Sequence, residues 1–141
     1  MKIVINTCYG GFGLSDEAKE MYLERKKILE NKDDFVQVKK KSIFNNIHAL
    51  VRKNLAESIN STEDLYNLPS TDCLVLNDYD LDRTDPLLIE IVEKLGKSKA
   101  SGDCAELVIE EIPKGSLYRI DEYDGNESIE YRDSDCWSVA S

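Results

Sequence analysis

The sequence predicts a single α+β domain over residues 1–141, with a mixed or mainly antiparallel sheet of about four to six short strands and about three helices. The length of 141 residues is that of one domain. Hydrophobic residues make up 41% of the chain and charged residues 33%, a composition that can form a packed core. Short β-branched runs are interspersed with longer segments of helical periodicity, which favours a mixed class.

The first strand and helix are predicted at the N-terminus. Residues 2–6 (KIVIN) are β-branched and typical of a strand. A glycine-rich loop follows, and Ser15 is the predicted N-cap of a helix that runs to about Leu29. Asp16 and Glu17 fall in its first turn, where the helix dipole favours acidic side chains.

The middle of the chain gives a weaker pattern. Residues 35–38 (FVQV) predict a short strand, and the basic run at 39–41 predicts a solvent-exposed turn, with phosphate contact as the alternative. Apolar residues at three- and four-residue steps between Ile43 and Ile59 predict a second helix. Residues 60–72 contain Ser, Thr, Asn and Pro and predict a loop.

The second half begins with clearer boundaries. Residues 73–76 (CLVL) predict a short buried strand. Asp85 is a predicted N-cap with Pro86 at the first helical position, and Gly96 is the predicted end of that helix. Residues 105–112 (AELVIEEI) predict a strand that ends before a proline.

A hairpin is predicted near the end of the chain. Residues 117–123 and 128–131 alternate apolar and polar side chains, and Asp124-Gly125 between them is a strong hairpin-turn sequence. Residues 133–141 are predicted to form a poorly anchored, disordered tail.

The cysteines and the single histidine predict neither a metal site nor a catalytic site. The closest pair, Cys73 and Cys104, is 31 positions apart, so there is no C-x-x-C motif. Both adjoin apolar runs and are predicted to be reduced and buried. Cys8 opens the glycine-rich loop, where backbone donors could lower its pKa, but its one candidate base, His48, is predicted to lie on a helix face.

The charge is strongly acidic and unevenly distributed. The net charge is −10; residues 1–60 hold 11 basic and 8 acidic side chains, and residues 61–141 hold 7 basic and 20 acidic ones. Such a surface repels phosphates, so direct binding of duplex DNA is not expected. No apolar run is long enough for a membrane span, and no secretory signal is recognised. We therefore expect a cytoplasmic protein.

The glycine-rich loop is a candidate ligand site. Backbone amides of a glycine-rich turn before a helix can hold a phosphate, and an aromatic ring can stack on a base. The pattern lacks the last glycine of G-x-G-x-x-G and the Gly-Lys-Ser/Thr of a P-loop, so a purely structural turn is the alternative. The candidate ligand-binding residues are Tyr9, Gly10, Gly11, Phe12, Gly13, Ser15 and Arg83.

Four carboxylates lie between Asp78 and Asp85. An EF-hand loop would need Gly at its sixth position and Glu at its twelfth, where the sequence has Arg83 and Ile89. The segment therefore predicts a solvated connection that ends in a helix cap, with adventitious binding of a divalent cation as the alternative; no dedicated metal site is predicted.

The predicted hairpin is a candidate protein-binding surface. Regularly spaced carboxylates on a strand can imitate phosphates and occupy a nucleic-acid groove of another protein. The alternative is a solvated edge that resists aggregation. The candidate partner-binding residues are Asp121, Glu122, Asp124, Glu127, Glu130 and Asp133.

Two blocks of the chain resemble a family of small phage and prophage proteins. One is MKIVINTCYGGFGLSDEA at 1–18, and the other extends over 83–129, with RTDP, IEIVEKLG, ASGDCAELVIEEIP and YRIDEYDGNESI. Together they cover about half the chain. The resemblance implies a phage accessory protein, a class rich in host-takeover and counter-defence functions, and it supplies no catalytic residues.

These observations favour a non-enzymatic protein without a cofactor. The leading expectation is a counter-defence inhibitor in the host cytoplasm, which binds a host defence or nucleic-acid-handling protein through its acidic face. The alternative is a sponge that sequesters a nucleotide immune signal at the glycine-rich loop. An enzyme ranks third, and the sequence does not determine the oligomeric state.

Overall fold

The computed structural model describes residues 1–42, 46–103 and 105–131, and the predicted α+β class is confirmed. These ranges contain seven strands and four α-helices, and the strands form three small antiparallel sheets where one sheet was predicted. The elements in chain order are β1 (Lys2–Asn6), α1 (Asp16–Leu29), β2 (Phe35–Lys41), β3 (Asn46–Arg52), α2 (Lys53–Ala56), α3 (Thr62–Asn67), β4 (Cys73–Val75), α4 (Pro86–Ala100), β5 (Leu107–Glu111), β6 (Tyr118–Tyr123) and β7 (Asn126–Tyr131).

Two compact units are present. The terminal unit consists of Met1–Ser15 and Asp78–Ser141, and the central unit consists of Asp16–Asn77. The terminal unit contains β1, α4 and β5 to β7, and the central unit contains α1 to α3 and β2 to β4.

The terminal unit is built on two antiparallel strand pairs, β1 with β5 and β6 with β7. Ile3 and Ile5 of β1 and Ile112 after β5 are fully buried, and one face of the β6–β7 hairpin packs on them. This face contributes Tyr118, Ile120, Ile129 and Tyr131. The hairpin is therefore attached to the unit by an apolar inner face, which leaves its outer face to solvent.

The predicted start of α4 and the predicted Asp124-Gly125 turn are confirmed, whereas the predicted end of α4 at Gly96 is wrong and β7 begins at Asn126, two residues earlier than predicted. The Asp85 carboxylate accepts a hydrogen bond from the Leu87 amide at 2.9 Å, and Pro86 is the first helical residue. At Gly96 the backbone leaves the helical region with φ 80°, and the helix resumes to Ala100. Asp124 and Gly125 both have positive φ, 51° and 86°, as a two-residue type I′ turn requires.

The central unit is a three-stranded sheet with β3 between β2 and β4. The two faces of β3 are buried in separate apolar clusters. Leu50 packs with Leu23 of α1 and Phe35 of β2, whereas Ala49 and Val51 lie in a cluster on the opposite face. Both sides of the sheet are therefore covered.

The predicted second helix is wrong over residues 46–52, which form β3. A strand buried on both faces has consecutive apolar residues, and a helical turn, α2, follows it directly; together they imitate three- and four-residue spacing. His48, predicted on a helix face, lies in this strand and is buried. Residues 43–45, where that helix was predicted to begin, lie outside the described residues.

Two further middle-segment predictions are also corrected. The loop predicted at 60–72 contains α3, and the Asp64 carboxylate accepts hydrogen bonds from the Asn60 and Ser61 amides at its start. The basic run at 39–41 belongs to β2, where it pairs with the start of β3. The lysines continue the strand alternation, since Lys39 and Lys41 are exposed and Lys40 between them is half-buried.

Cys73 is buried as predicted, and burial raises the pKa of its thiol. Cys8 is free and half-buried. Cys104 and the predicted tail at 133–141 lie outside the described residues.

Candidate interaction site

A buried asparagine organises the start of the glycine-rich loop. Asn6, the last residue of β1, is fully buried. Its Oδ1 accepts hydrogen bonds from the amides of Cys8 at 3.2 Å and Glu106 at 2.8 Å, and its Nδ2 donates to the carbonyls of Cys8 and Gly125, each at 2.7 Å. Both donors and both acceptor sites of the side chain are thus used. Asn6 links the loop to the β6–β7 turn.

The loop and the hairpin turn are in direct backbone contact. The Gly10 amide donates to the carbonyl of Asp124 at 3.1 Å. A Cβ added to Gly125 would lie 2.2 Å from the Gly11 nitrogen, closer than any side chain can approach. Gly10 and Gly11 both have positive φ, 120° and 99°. The glycines therefore permit this close approach, which is the role expected of a structural turn.

A buried ion pair lies beside this contact. Arg83 Nη1 is 2.5 Å from Glu127 Oε1, and the side chains are only 14% and 7% exposed. The same Glu127 oxygen accepts the Asn6 amide at 2.9 Å. The Arg83 guanidinium lies 3.6 Å from the ring centroid of Phe12, a cation–π contact with a buried ring. Arg83, Glu127 and Phe12 thus stabilise the loop from within.

This arrangement changes the expected roles of three residues. Phe12 is buried under Arg83, so its ring is not exposed for stacking on a base. Arg83, the expected phosphate partner, is engaged with Glu127. Glu127, expected on an exposed acidic strand, faces the interior of the terminal unit.

Several backbone amides near the loop already have acceptors. The Leu14 amide donates to Asp78 Oδ2 at 3.0 Å, and the Ser15 amide donates to the Ala100 carbonyl at 2.9 Å. The Ser15 hydroxyl donates to the carbonyl of Lys99. Asp78 is a buried carboxylate next to Gly13, so negative charge from the chain itself occupies the position expected for a phosphate.

The acidic segment between Asp78 and Asp85 has structural roles. Asp82 Oδ1 accepts hydrogen bonds from the amide and the hydroxyl of Thr84, and these lower the pKa of the Asp82 carboxyl. Asp78 and Asp85 hold the Leu14 and Leu87 amides, as described above. The helix cap predicted here is confirmed.

The acids of the hairpin divide between its two faces. In the register of β6 and β7, Arg119 pairs with Glu130, Asp121 with Ser128, and Tyr123 with Asn126, and these form the outer face. Glu122 and Glu127 lie on the other face, where Glu122 is exposed and Glu127 is buried. Asp124 is exposed in the turn. Asp133 lies outside the described residues.

Two tyrosines form an exposed pair at the loop–turn junction. The rings of Tyr9 and Tyr123 are 6.4 Å apart between centroids and meet edge to face at 81°. The residues are 60% and 77% exposed. Tyr9 was a sequence candidate, but Tyr123 was not, since nothing in the sequence connects positions so far apart. The Tyr9–Tyr123 pair and the exposed carboxylates Asp121, Glu122 and Asp124 constitute the candidate interaction site.

The central unit contains a pair between a buried histidine and an exposed carboxylate. His48 Nε2 is 2.8 Å from Asp16 Oδ1, and the Asn46 side-chain amide donates to Asp16 Oδ2 at 2.9 Å. Burial raises the pKa of the Asp16 carboxyl, but the hydrogen bonds with His48 and Asn46 outweigh it and leave the pKa below its ordinary value. The pair joins the first turn of α1 to β3.

The described helices include none with the length and apolar character needed to cross a bilayer. Comparison of the chain with protein-family models, with curated proteins and with solved structures finds no match.

Proposed function

We propose that this chain is a phage-encoded, non-enzymatic accessory protein of the host cytoplasm that binds and inhibits a host defence or nucleic-acid-handling protein. The observation that carries the proposal is the display of Asp121 on the outer face and of Asp124 in the turn of a hairpin whose inner face is anchored in the terminal unit. Glu122 adds an exposed carboxylate beside the turn, on the inner face. Because the hairpin backbone is anchored, it loses little conformational freedom on binding, which favours association of its carboxylates with a basic surface.

The charge distribution supports the same function. Residues 61–141 carry a net charge of −13, against +3 for residues 1–60. A basic groove that normally receives nucleic acid attracts such a surface over a distance of about one Debye length, roughly 8 Å at physiological salt. Binding of this kind blocks the groove without any chemical step.

The alternative function, a sponge for a nucleotide signal, has weaker support. The loop amides of Gly10 and Leu14 are bonded within the chain, and the guanidinium of Arg83 is held by Glu127. A phosphate would have to displace these contacts. Tyr9 is the one aromatic ring of the expected ligand loop that is exposed for stacking.

The inhibitor function is tested by phage plating on bacteria that produce the chain. The variant Asp121→Lys with Asp124→Asn changes the hairpin charge by three units, and Asn keeps the positive φ accessible at position 124. Asp33→Lys with Asp103→Asn makes the same charge change at exposed sites elsewhere.

We expect the wild type and the Asp33/Asp103 control to raise the plating efficiency of phage on a restricting strain by at least about tenfold. The hairpin variant should lose most of this gain, because a tenfold weaker affinity for the target corresponds to about 1.4 kcal/mol of binding free energy. Equal plating with both variants would contradict the proposal. A thermal-shift screen against linear and cyclic nucleotides, with and without magnesium, tests the alternative, since a tight ligand raises the melting temperature.

A further inference from the structure

We infer that the Tyr9–Tyr123 pair, together with Asp121 and Asp124, receives an arginine side chain from a basic segment of the protein partner. This inference rests on the proposed function and specifies which chemical group the acidic hairpin recognises.

The exposure of the two rings is the first observation. Tyr9 and Tyr123 are among the most exposed large side chains of the described residues, although they touch each other edge to face. Both are held by fixed backbone: Tyr9 precedes Gly10, whose amide is bonded to Asp124, and Tyr123 immediately precedes that turn. The pair is therefore a positioned aromatic surface, of the kind that is enriched at protein interfaces.

The neighbouring charges determine what this surface attracts. Asp121 is two residues before Tyr123 on the same strand, so both project from the outer face of the hairpin, and Asp124 follows in the turn. Arg119, the one cation of the outer face over β6 and β7, is bonded to Glu130 through Nε and Nη2 at 3.0 and 2.9 Å. The face of an aromatic ring is electron-rich, so rings and carboxylates together favour a cation and repel phosphate.

Among the described residues the same combination occurs at Phe12 and at Phe35, and a guanidinium is bound at each; at Phe35 the ammonium of Lys32 also lies over the ring, 4.5 Å from its centroid. Arg83 lies over Phe12 and pairs with Glu127. Arg52 lies 5.0 Å from the centroid of Phe35 and is bonded to both Asp34 and Asp72. The Tyr9–Tyr123 site also combines aromatic rings with carboxylates, since Asp121 shares the outer face with Tyr123 and Asp124 follows it in the turn, and among the described residues no cation lies over either ring.

Arginine suits the site better than lysine. A planar guanidinium stacks on a ring while its edge donates to a carboxylate, whereas an ammonium is a compact and strongly hydrated point charge. The preferred partner segment is therefore arginine-rich and extended or looped, as in the phosphate-binding surface of a nucleic-acid-handling protein.

An NMR titration of the full chain tests this inference. The probe is an acetylated, amidated Gly-Arg repeat peptide, compared with the matching Gly-Lys and Gly-Glu peptides. The variants are Tyr9→Ala and Tyr123→Ala, with Tyr123→Leu as a version that keeps apolar bulk. Tyr66→Ala removes a tyrosine of similar exposure, 63%, from the central unit and serves as the control.

We expect the Gly-Arg peptide to shift the ring resonances of Tyr9 and Tyr123 and to bind more tightly than the Gly-Lys peptide. Each of the three site variants weakens binding about three- to fivefold, as expected for an exposed cation–π contact, and Tyr66→Ala leaves it unchanged. Equal affinity of wild type, Tyr9→Ala and Tyr123→Leu, or equal affinity of the Gly-Arg and Gly-Glu peptides, overturns the inference.

The plating assay separates this inference from the proposed function. If plating is lost with the Asp121/Asp124 variant but kept with Tyr9→Ala and Tyr123→Leu, arginine capture by the rings is wrong and the acidic inhibitor function stands. If plating is unchanged in all of these variants, the proposed function itself is wrong.

Discussion

Substitution of Gly125 by alanine measures how tightly the glycine-rich loop and the hairpin turn are joined. The new Cβ would lie 2.2 Å from the nitrogen of Gly11 and 2.8 Å from that of Gly10, so the loop must move away from the turn. Gly125 also has φ 86°, which is unfavourable for alanine in any surroundings. The substitution therefore combines backbone strain with a steric clash.

Gly115 separates these two effects. It has nearly the same φ, 85°, but an added Cβ would meet no atom within 4 Å. Gly115→Ala should cost about 1 kcal/mol, because a left-handed conformation costs about 1–2 kcal/mol and the loss of unfolded-state entropy returns about 0.4–1 kcal/mol. Gly125→Ala adds the cost of overpacking, about 1–3 kcal/mol, for a total of about 2–4 kcal/mol.

Urea unfolding of both variants supplies the free energies, and amide hydrogen exchange of Gly10 reports the local contact. We expect Gly125→Ala to be less stable than Gly115→Ala by about 1–3 kcal/mol, with faster exchange at Gly10 in Gly125→Ala alone. Equal losses in the two variants, with unchanged exchange at Gly10, would refute the close backbone contact.

Three further predictions concern polar side chains that are hydrogen-bonded within the chain. Glu127→Gln leaves Arg83 as a buried charge without its carboxylate and should lower the free energy of unfolding by about 3–5 kcal/mol. Arg83→Met with Glu127→Gln removes that charge, keeps an acceptor for the Asn6 amide and should recover most of this loss in urea unfolding; similar losses for both variants would contradict the prediction. Asn6→Ala removes four hydrogen bonds and should cost about 2–4 kcal/mol, a prediction that a loss below about 1 kcal/mol in urea would disprove. The pKa of the Asp16 carboxyl is lowered in the folded state, so its ionised form contributes stability above about pH 4 that is lost as the pH falls through the folded pKa. In urea unfolding, wild type should therefore lose more stability than Asp16→Asn between neutral pH and about pH 3. Parallel losses in the two proteins would rule this out.

The elements whose ends are marked by short helix-cap or turn sequences were predictable from the sequence. Asp85-Pro86 at the start of α4 and Asp124-Gly125 in the hairpin specify their conformation through their own backbone and side-chain preferences. The strand at residues 2–6 also follows from local composition, because β-branched residues favour an extended backbone.

The middle of the chain was predictable only in part, since tertiary burial determines its structure. β3 is covered on both faces, so its apolar residues show no strand alternation and resemble a helix. The start of α3 carries a recognisable pattern, Ser61 followed by Asp64 three residues later, which is a capping-box arrangement within the stretch assigned to a loop.

The candidate site depends on contacts between distant positions. Tyr9 meets Tyr123, and Arg83 meets Phe12 and Glu127, through the packing of a loop on a hairpin turn. Sequence spacing gives the residue types but not these pairs. The anchoring role of Asn6 likewise follows from its burial and its four hydrogen bonds, which the sequence does not reveal.

Affinity capture from a bacterial lysate, at low and at high salt, tests the proposed acidic interface most directly. We expect the wild type and the Asp33→Lys/Asp103→Asn control to retain the same basic protein at about 0.05 M salt, and the Asp121→Lys/Asp124→Asn variant to lose it. The retained protein should dissociate from the wild type near 1 M salt, where the Debye length falls to about 3 Å. Equal retention by the control and the hairpin variant, insensitive to salt, would contradict binding through the acidic hairpin.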